Sequence, residues 1–368
     1  MSVTEQVSTV VDADEQRVVE AVERLLAEHP PADTPEQQFL EAQFDAGLAW
    51  VQFAEGDGGL GVSPKLQKLV AERIKAAGGP LGGAKNPIGY GMCGPAIETH
   101  GTPEQKQLLR PLFSNEHIWC QLFSEPGAGS DVASLSMKAE RDGDEWIVNG
   151  QKIWTSGAWD ADWCYLIART DPTAPAHAGL SEFVVDMSSP GIEVRRIVDA
   201  TGNAHFCEVY FDDVVVPGDH LVGTLNDSFR QVMRQMEHER GGIDRLVSNR
   251  RLYLDAVAEA DLHDPLLRDE WARLESEFTI GRMLVLREVL RQAPPGFSAA
   301  TKTFCTEFEQ RVAEFCVRAA GARAMRWNRV SRNIVYAPAY TIMGGTSNIL
   351  RNIIGERLLG LPREPRPG

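Results

Sequence analysis

Hydrophobic positions recur with two different periods along this chain, and the changeovers divide it into three. Over residues 1–118 the period is helical, and "DEQRVVEAVERLLAEH" and "SPKLQKLVAERIKAA" each gather apolar side chains on one face. "TPEQKQLLRPLF" adds a threonine cap and a proline in the first turn. "GGPLGGAKNPIGYGMCGP" reads as a long connection. Over 119–225 the pattern shifts to period two. "EWIVNGQKIWTSG", "DWCYLIART", "SEFVVDM", "IEVRRIV" and "HFCEVYFDDVVV" predict short strands, with a hairpin turn at "RDGDEW". Over 226–368 the helical period returns, in "RDEWARLESEFTIGRMLVLREVLRQ" and "KTFCTEFEQRVAEFCVRAAGARAM". These periods predict an α+β multidomain chain: an N-terminal helical domain (1–118), a middle β-barrel or sandwich (119–225) and a C-terminal helical domain (226–368).

One helical stretch, "RQMEHERGGIDRL" (234–246), departs from that pattern. Leu225, Phe229, Val232, Met233 and Met236 form an apolar stripe that Ile243, Leu246 and Val247 resume. Continuing the stripe aims Glu239 and Arg240 inward, where charge is expensive unless it is paired or used. Gly241 and Gly242 follow, at roughly 1 kcal/mol each in a helix interior, and would let a ligand or another chain approach closely.

Composition narrows the class. Acidic residues exceed basic ones by 15, which argues against nucleic-acid and membrane-surface partners. No apolar run approaches the ~18–20 residues of a membrane span. The polar, acidic N-terminus is no signal peptide, so a cytoplasmic location is expected. Six cysteines without CxxC spacing read as reduced thiols, and eight histidines without HExxH predict no metal site.

Two stretches carry candidate chemistry. "QLFSEPGAGSDVAS" (121–134) sets Gly127 and Gly129 in a tight turn beside Ser124, Ser130 and Asp131, with backbone N–H groups free for an anionic or carbonyl-rich ligand. It lacks the spacing of a P-loop or a dinucleotide fingerprint. In "NGQKIWTSGAWDADW", Trp154 can cover a flat cofactor whose edge Thr155 and Ser156 would bind; alternatively it is a core tryptophan in a strand.

Taken with "FDDVVVPGDHLVG" and "GGTSNILRNIIGERLLG", these stretches resemble the acyl-CoA dehydrogenases in order and spacing, over nearly the whole chain. The resemblance implies a C-terminal four-helix bundle that builds a tetramer. It also implies FAD held between the β-domain and the C-terminal helices, partly against a neighbouring subunit. Position by position, it implies that Gln121, Leu122, Phe123, Ser124, Gly129 and Ser130 contact the flavin, with Ser130 also near the acyl-CoA. Trp154, Thr155 and Ser156 would flank the ring system, Thr346 and Ser347 would touch the cofactor, and Arg240 would lie near the substrate's polar portion.

The reaction also needs a carboxylate to take the α-proton of the thioester as the β-hydride leaves. Many members place it in an "EGT" motif, where this chain has Gly344 in "IMGGTSN". Other members use the Glu of an "ER" pair on the first C-terminal helix, and that position is Glu239. Gly344 would then clear the substrate space that the other type of base occupies.

Two cofactor signatures of homotetrameric relatives are missing: "LHDPLLRDEWARL" replaces Arg-x-x-Phe-Gly, and "FCVRAAGARAM" replaces Gln-x-x-Gly-Gly-x-Gly. This pattern resembles the base-bearing subunit of the heteromeric α2β2 dehydrogenases of actinobacterial sterol catabolism. That implies a bulky sterol side-chain CoA substrate, an unlike acyl-CoA dehydrogenase partner and an electron-transfer flavoprotein or similar acceptor. The competing readings are a homotetramer acting on a short or branched acyl-CoA, a non-catalytic scaffold subunit, and a related flavin oxidase or monooxygenase.

Overall fold

A computed structural model describes residues 3–83, 85–232, 244–290 and 292–363. Two compact units emerge, Met1–Ile197 with His205–Phe229, and Val198–Ala204 with Arg230–Gly368.

In the first unit, helices α1 (Val3–Glu28), α2 (Glu36–Asp45) and α3 (Gln67–Ala76) follow the predicted helical period. Val18, Ala21, Val22 and Leu25 of α1 meet Phe39, Leu48, Val70 and Ile74 in one buried cluster. α4 (Gly94–His100), α5 (Pro103–Lys106) and α6 (Leu109–Phe113) come next. Thr102 caps α5 and forms a reciprocal capping box with Gln105. Gln105 also donates to the carbonyls of Asp219 (2.6 Å) and Leu221 (2.9 Å), which fastens the helices to the sheet.

The glycine-rich stretch is not the plain connection its composition predicts. Gly89–Cys93 forms a π-helical turn that runs into α4. Buried Asn86 supplies the reason: it donates to the carbonyls of Leu112 (3.0 Å) and His117 (2.9 Å) and accepts from Trp119 N (3.0 Å). A Cβ at Gly89 would come within 2.5 Å of that side chain, so glycine there serves close packing.

Eight strands follow: β1 (Trp119–Leu122), β2 (Lys138–Asp142), β3 (Glu145–Ser156), β4 (Trp163–Arg169), β5 (Leu180–Asp186), β6 (Ile192–Ile197), β7 (Phe206–Pro217) and β8 (Leu221–Val222). They form one sheet in the order β6-β7-β3-β2-β4-β5-β8, with β1 parallel to β4. Asp142 faces Glu145 across the predicted hairpin turn, where Gly143 has φ 60°. Cys120, Trp146, Leu166, Phe183, Val209 and Val216, from five strands, share one core, so the sheet curls round a single interior as a small barrel does. Tyr165 and Val184 point the other way and pack with Leu40, Trp50 and Phe113. Strands β4 and β5 are therefore covered on both faces, and helices and sheet make one unit.

Residues 228–232 begin the next helix. Leu225 does not belong to its apolar stripe: it sits in the preceding turn, 40% exposed. There Asn226 takes φ 66° and is bonded to Ser181 and Thr170. Met233, Met236, Glu239, Arg240, Gly241, Gly242 and Ile243 lie outside the described residues.

The second unit contains α7 (Asp244–Val247), α8 (Arg250–Glu259), α9 (Pro265–Val289), α10 (Ser298–Ala320), α11 (Arg329–Tyr336) and α12 (Ser347–Ile353). Asp264 caps α9, accepting from Leu266 N at 2.8 Å, with Pro265 in its first turn. α10 is central: Cys305, Phe308, Val312, Phe315 and Cys316 bury against Leu246, Tyr253 and Leu274. All six cysteines are buried and none is bridged. Among the described residues no helix is long and apolar enough to cross a membrane.

Candidate functional site

In the first unit the structure gathers two of the predicted stretches at one end of β1 and β3. Ile153 N donates to Ser124 O at 2.9 Å, joining the loop after β1 to the end of β3. Glu125 and Ala128 exchange backbone hydrogen bonds of 2.8 and 3.1 Å, which closes the tight turn over Pro126 and Gly127. Gly127 and Gly129 have no positive φ, and a Cβ added to either would meet no atom of the chain. The fold itself therefore demands glycine at neither position. Close approach of something outside the chain would. Gly129 and Ser130 are exposed at the loop tip, and Gln121, Phe123 and Ser124 are half-buried. The Leu122 side chain lies in the core, which leaves only its backbone for a ligand.

Strand β3 settles the open question about Trp154. Trp146, Val148 and Lys152 alternate on the buried face, and the same period would carry Trp154 inward. Between Lys152 and Thr155 the pairing with β7 slips by one residue, and Trp154 takes φ 63°. This bulge rephases the strand. Trp154 emerges 56% exposed, its ring meeting Phe206 edge-on at 6.0 Å, while Thr155 turns in with 3% exposure. A positive φ at an aromatic residue costs about 1–3 kcal/mol and clusters at functional sites. The Thr155 hydroxyl is buried with no hydrogen-bond partner. A flat cofactor would find in the exposed indole a surface to lie against.

A charged pair missed in the sequence supports this end of the sheet. Lys152, 0% exposed, donates to Glu125 Oε1 (2.8 Å) and to the carbonyl of Phe123 (3.0 Å). Glu125 also accepts from Ser136 N (2.8 Å), Ser136 Oγ (2.8 Å) and Met137 N (2.9 Å). Burial pushes the Glu125 carboxyl up, but Lys152 and these donors outweigh it and hold the group below its ordinary value. Burial pulls Lys152 down, against the attraction of Glu125. The donors converging on the carboxylate make the ionised pair the neutral-pH form. A signal was present: a lysine in phase with Trp146 and Val148 on a half-buried strand.

In the second unit, Gly344 (φ 67°) and Gly345 (φ 91°) turn the chain into α12. Thr346 caps that helix, its hydroxyl accepting from Ile349 N at 3.3 Å. Ser347 is 7% exposed, and its hydroxyl has no partner. It lines a groove of about 570 Å³ with Gln310, Arg311, Thr341, Thr346 and Arg351. Buried Lys302 of α10 holds the turn through the carbonyls of Tyr340 (3.2 Å) and Gly345 (2.8 Å). Glu309, about two helical turns along, accepts from Asn249 N (3.1 Å) and Nδ2 (2.5 Å), and burial raises its carboxyl to about 8. Both charges fall on the apolar stripe of α10, so the register test that singles out Glu239 and Arg240 would have found them. Glu239 and Arg240 themselves lie outside the described residues.

The exposed indole of Trp154 in the first unit, and the unpartnered Ser347 hydroxyl lining a groove in the second, each fit a contact with FAD. Comparison with known proteins gives an independent result. Three family models match in order along the chain: acyl-CoA dehydrogenase N-terminal domain over residues 4–116, middle domain over 120–214 and C-terminal domain over 226–359. The acyl-CoA dehydrogenase IpdE1 of Mycobacterium tuberculosis is 36% identical over 337 residues, covering 87% of this chain and 86% of that one. Among solved structures, the Tcur3481-Tcur3483 steroid ACAD superposes with a TM-score of 0.76 at 27% identity, over 96% of this chain and 98% of that one. The ChsE4-ChsE5 complex from Mycobacterium tuberculosis gives 0.74 at 26% identity, over 96% and 98%.

Proposed function

This chain belongs to the acyl-CoA dehydrogenase family, and from that premise we propose that it is the base-bearing subunit of a heteromeric, FAD-dependent dehydrogenase of a bulky acyl-CoA, a sterol side-chain thioester. One observation carries the cofactor site: the bulge that turns Trp154 out of the core and leaves its indole exposed beside the loop after β1. In this reading the backbone of 121–124, the open tip at Gly129 and Ser130, and Trp154, Thr155 and Ser156 hold the flavin, and Thr346 and Ser347 are also flavin-contacting residues. Ser130 and Arg240 face the acyl-CoA, and Gly344 leaves room for it. The chemistry that bound FAD would supply is that of an acceptor for the hydride leaving the β-carbon. Glu239 removes the α-proton, a task for which a carboxylate beside apolar substrate is raised toward its working range, against the opposing pull of Arg240. The domains run 1–118, 119–225 and 226–368, and the acceptor of the electrons would be an electron-transfer flavoprotein or similar partner in the cytoplasm.

The heteromeric part rests on the two absent cofactor signatures and on the relatives, one named as a steroid ACAD and another as a complex of two chains. The test is the absorbance spectrum and flavin content of the chain purified alone and after co-expression with an unlike homologue that keeps both signatures. Alone it should bind FAD poorly; together the chains should form a tetramer with about one FAD per two chains. A yellow homotetramer with one FAD per chain and full turnover would refute the heteromer and leave a homotetrameric dehydrogenase.

A further inference from the structure

We propose that Lys152 is a positioning residue for the cofactor-facing surface. Its ammonium clasps the loop after β1 to the bulge of β3 and so sets where Trp154 and the 126–131 tip stand. The proposal rests on the reading above, because these are the segments assigned to the flavin.

Three observations converge on it. First, Lys152 is fully buried and turns its charge to this junction, donating to the Phe123 carbonyl and the Glu125 carboxylate. Second, the bulge begins at Lys152 itself, and the residue after it, Ile153, donates to Ser124 O at 2.9 Å. The strained Trp154 thus follows directly on two residues, Lys152 and Ile153, that are both tied to the same three-residue stretch, 123–125. Third, Glu125 gathers the returning arm of the loop through the amides of Ser136 and Met137. Arg169 holds that arm too, donating to the carbonyls of Leu135 (2.8 Å) and Ala133 (2.7 Å). Both arms are fixed and the tip between them stays open. A buried charge is a costly way to gain stability alone, since well-packed apolar residues serve as well or better. Here the charge fixes a geometry that packing cannot, because the groups it joins are backbone carbonyl and carboxylate at the edge of an exposed tip.

The test separates positioning from charge burial by neutralising both partners. E125Q/K152Q keeps a donor for the Phe123 carbonyl; E125Q/K152M has none. Each is compared with wild type by amide exchange at Ile153 in the chain without cofactor, and by FAD dissociation constant in the assembly that binds FAD. Positioning predicts Ile153 exchange and FAD dissociation at least tenfold worse in the methionine variant, with the glutamine variant recovering at least half of that loss on a logarithmic scale. Equal values for the two variants would overturn it. Should the methionine variant fail to fold, the glutamine variant decides: FAD binding within tenfold of wild type is expected, and a loss above a hundredfold overturns the idea. If wild type binds no FAD in any assembly, the cofactor reading falls, while Ile153 exchange still decides the role of Lys152.

Discussion

Trp154 offers a direct test of the geometry at the site, through the pair of substitutions Trp154→Ala and Trp154→Gly. Both remove the indole, so the loss of its half-buried surface cancels in the comparison, save for one methyl group. What remains is the backbone. At φ 63° an alanine keeps the left-handed penalty of about 1–2 kcal/mol, which glycine escapes. Glycine gives back roughly 0.4–1 kcal/mol through the freedom of its unfolded chain. The glycine variant should therefore be the more stable by about 0.5–1 kcal/mol. At an ordinary strand position the sign is opposite, with alanine ahead by about 0.5–1 kcal/mol. The two cases thus differ by roughly 1–2 kcal/mol, enough to separate in urea, where a slope of about 2 kcal/mol per molar gives a midpoint shift of a few tenths molar. Trp154→Asn should fall between them, because asparagine tolerates the left-handed region. If the alanine variant matched or exceeded the glycine variant, the bulge would be wrong, and with it the account of why Trp154 faces outward.

Other outcomes follow from the same structure and sequence. Glu239→Gln should lower turnover by about a hundred- to ten-thousand-fold while flavin stays bound, as expected for loss of a general base; near-normal turnover would remove Glu239 from that role. Adding Gly344→Glu to that variant should restore little activity, because the new side chain inherits φ 67° and a strain of about 1–2 kcal/mol; a thermal midpoint unchanged by Gly344→Glu alone would contradict this. Glu309→Gln tests burial through pH. The folded carboxyl is raised to about 8 from 4.5, so its contribution to stability is complete below pH 4.5 and is lost as pH climbs to about 8. Wild type should fall behind the glutamine variant by up to about 1.4 kcal/mol per pH unit across that window, and parallel stability curves from pH 5 to 8 would exclude the shift.

The sequence alone determined what local rules can carry. A helical period, a cap at Thr102 with Pro103 behind it, an alternating period and a glycine turn at Gly143 each act over a few neighbouring residues, and each stands where it was expected. Motif order was equally legible, since it placed the chain in its family before any contact was known. Phase and pairing were not. Period two sends Trp154 into the core; only the one-residue slip against β7 sends it out, and that slip depends on a partner strand some fifty residues away. Glycine content marked 78–95 as a loop, but the buried Asn86 side chain, bonded to residues 112, 117 and 119, winds its second half into helix. The phase of Lys152 with Trp146 and Val148 marks it as inward-facing, but its partner Glu125 lies 27 residues earlier and only the fold brings the two together. Leu225 fitted the helical stripe by spacing, and the hydrogen bonds of Asn226 to Ser181 and Thr170 held it outside the helix. Hydrophobic period records which side of an element meets the core; where an element starts, slips or tolerates a charge is set by hydrogen-bond partners that only the folded chain brings within reach.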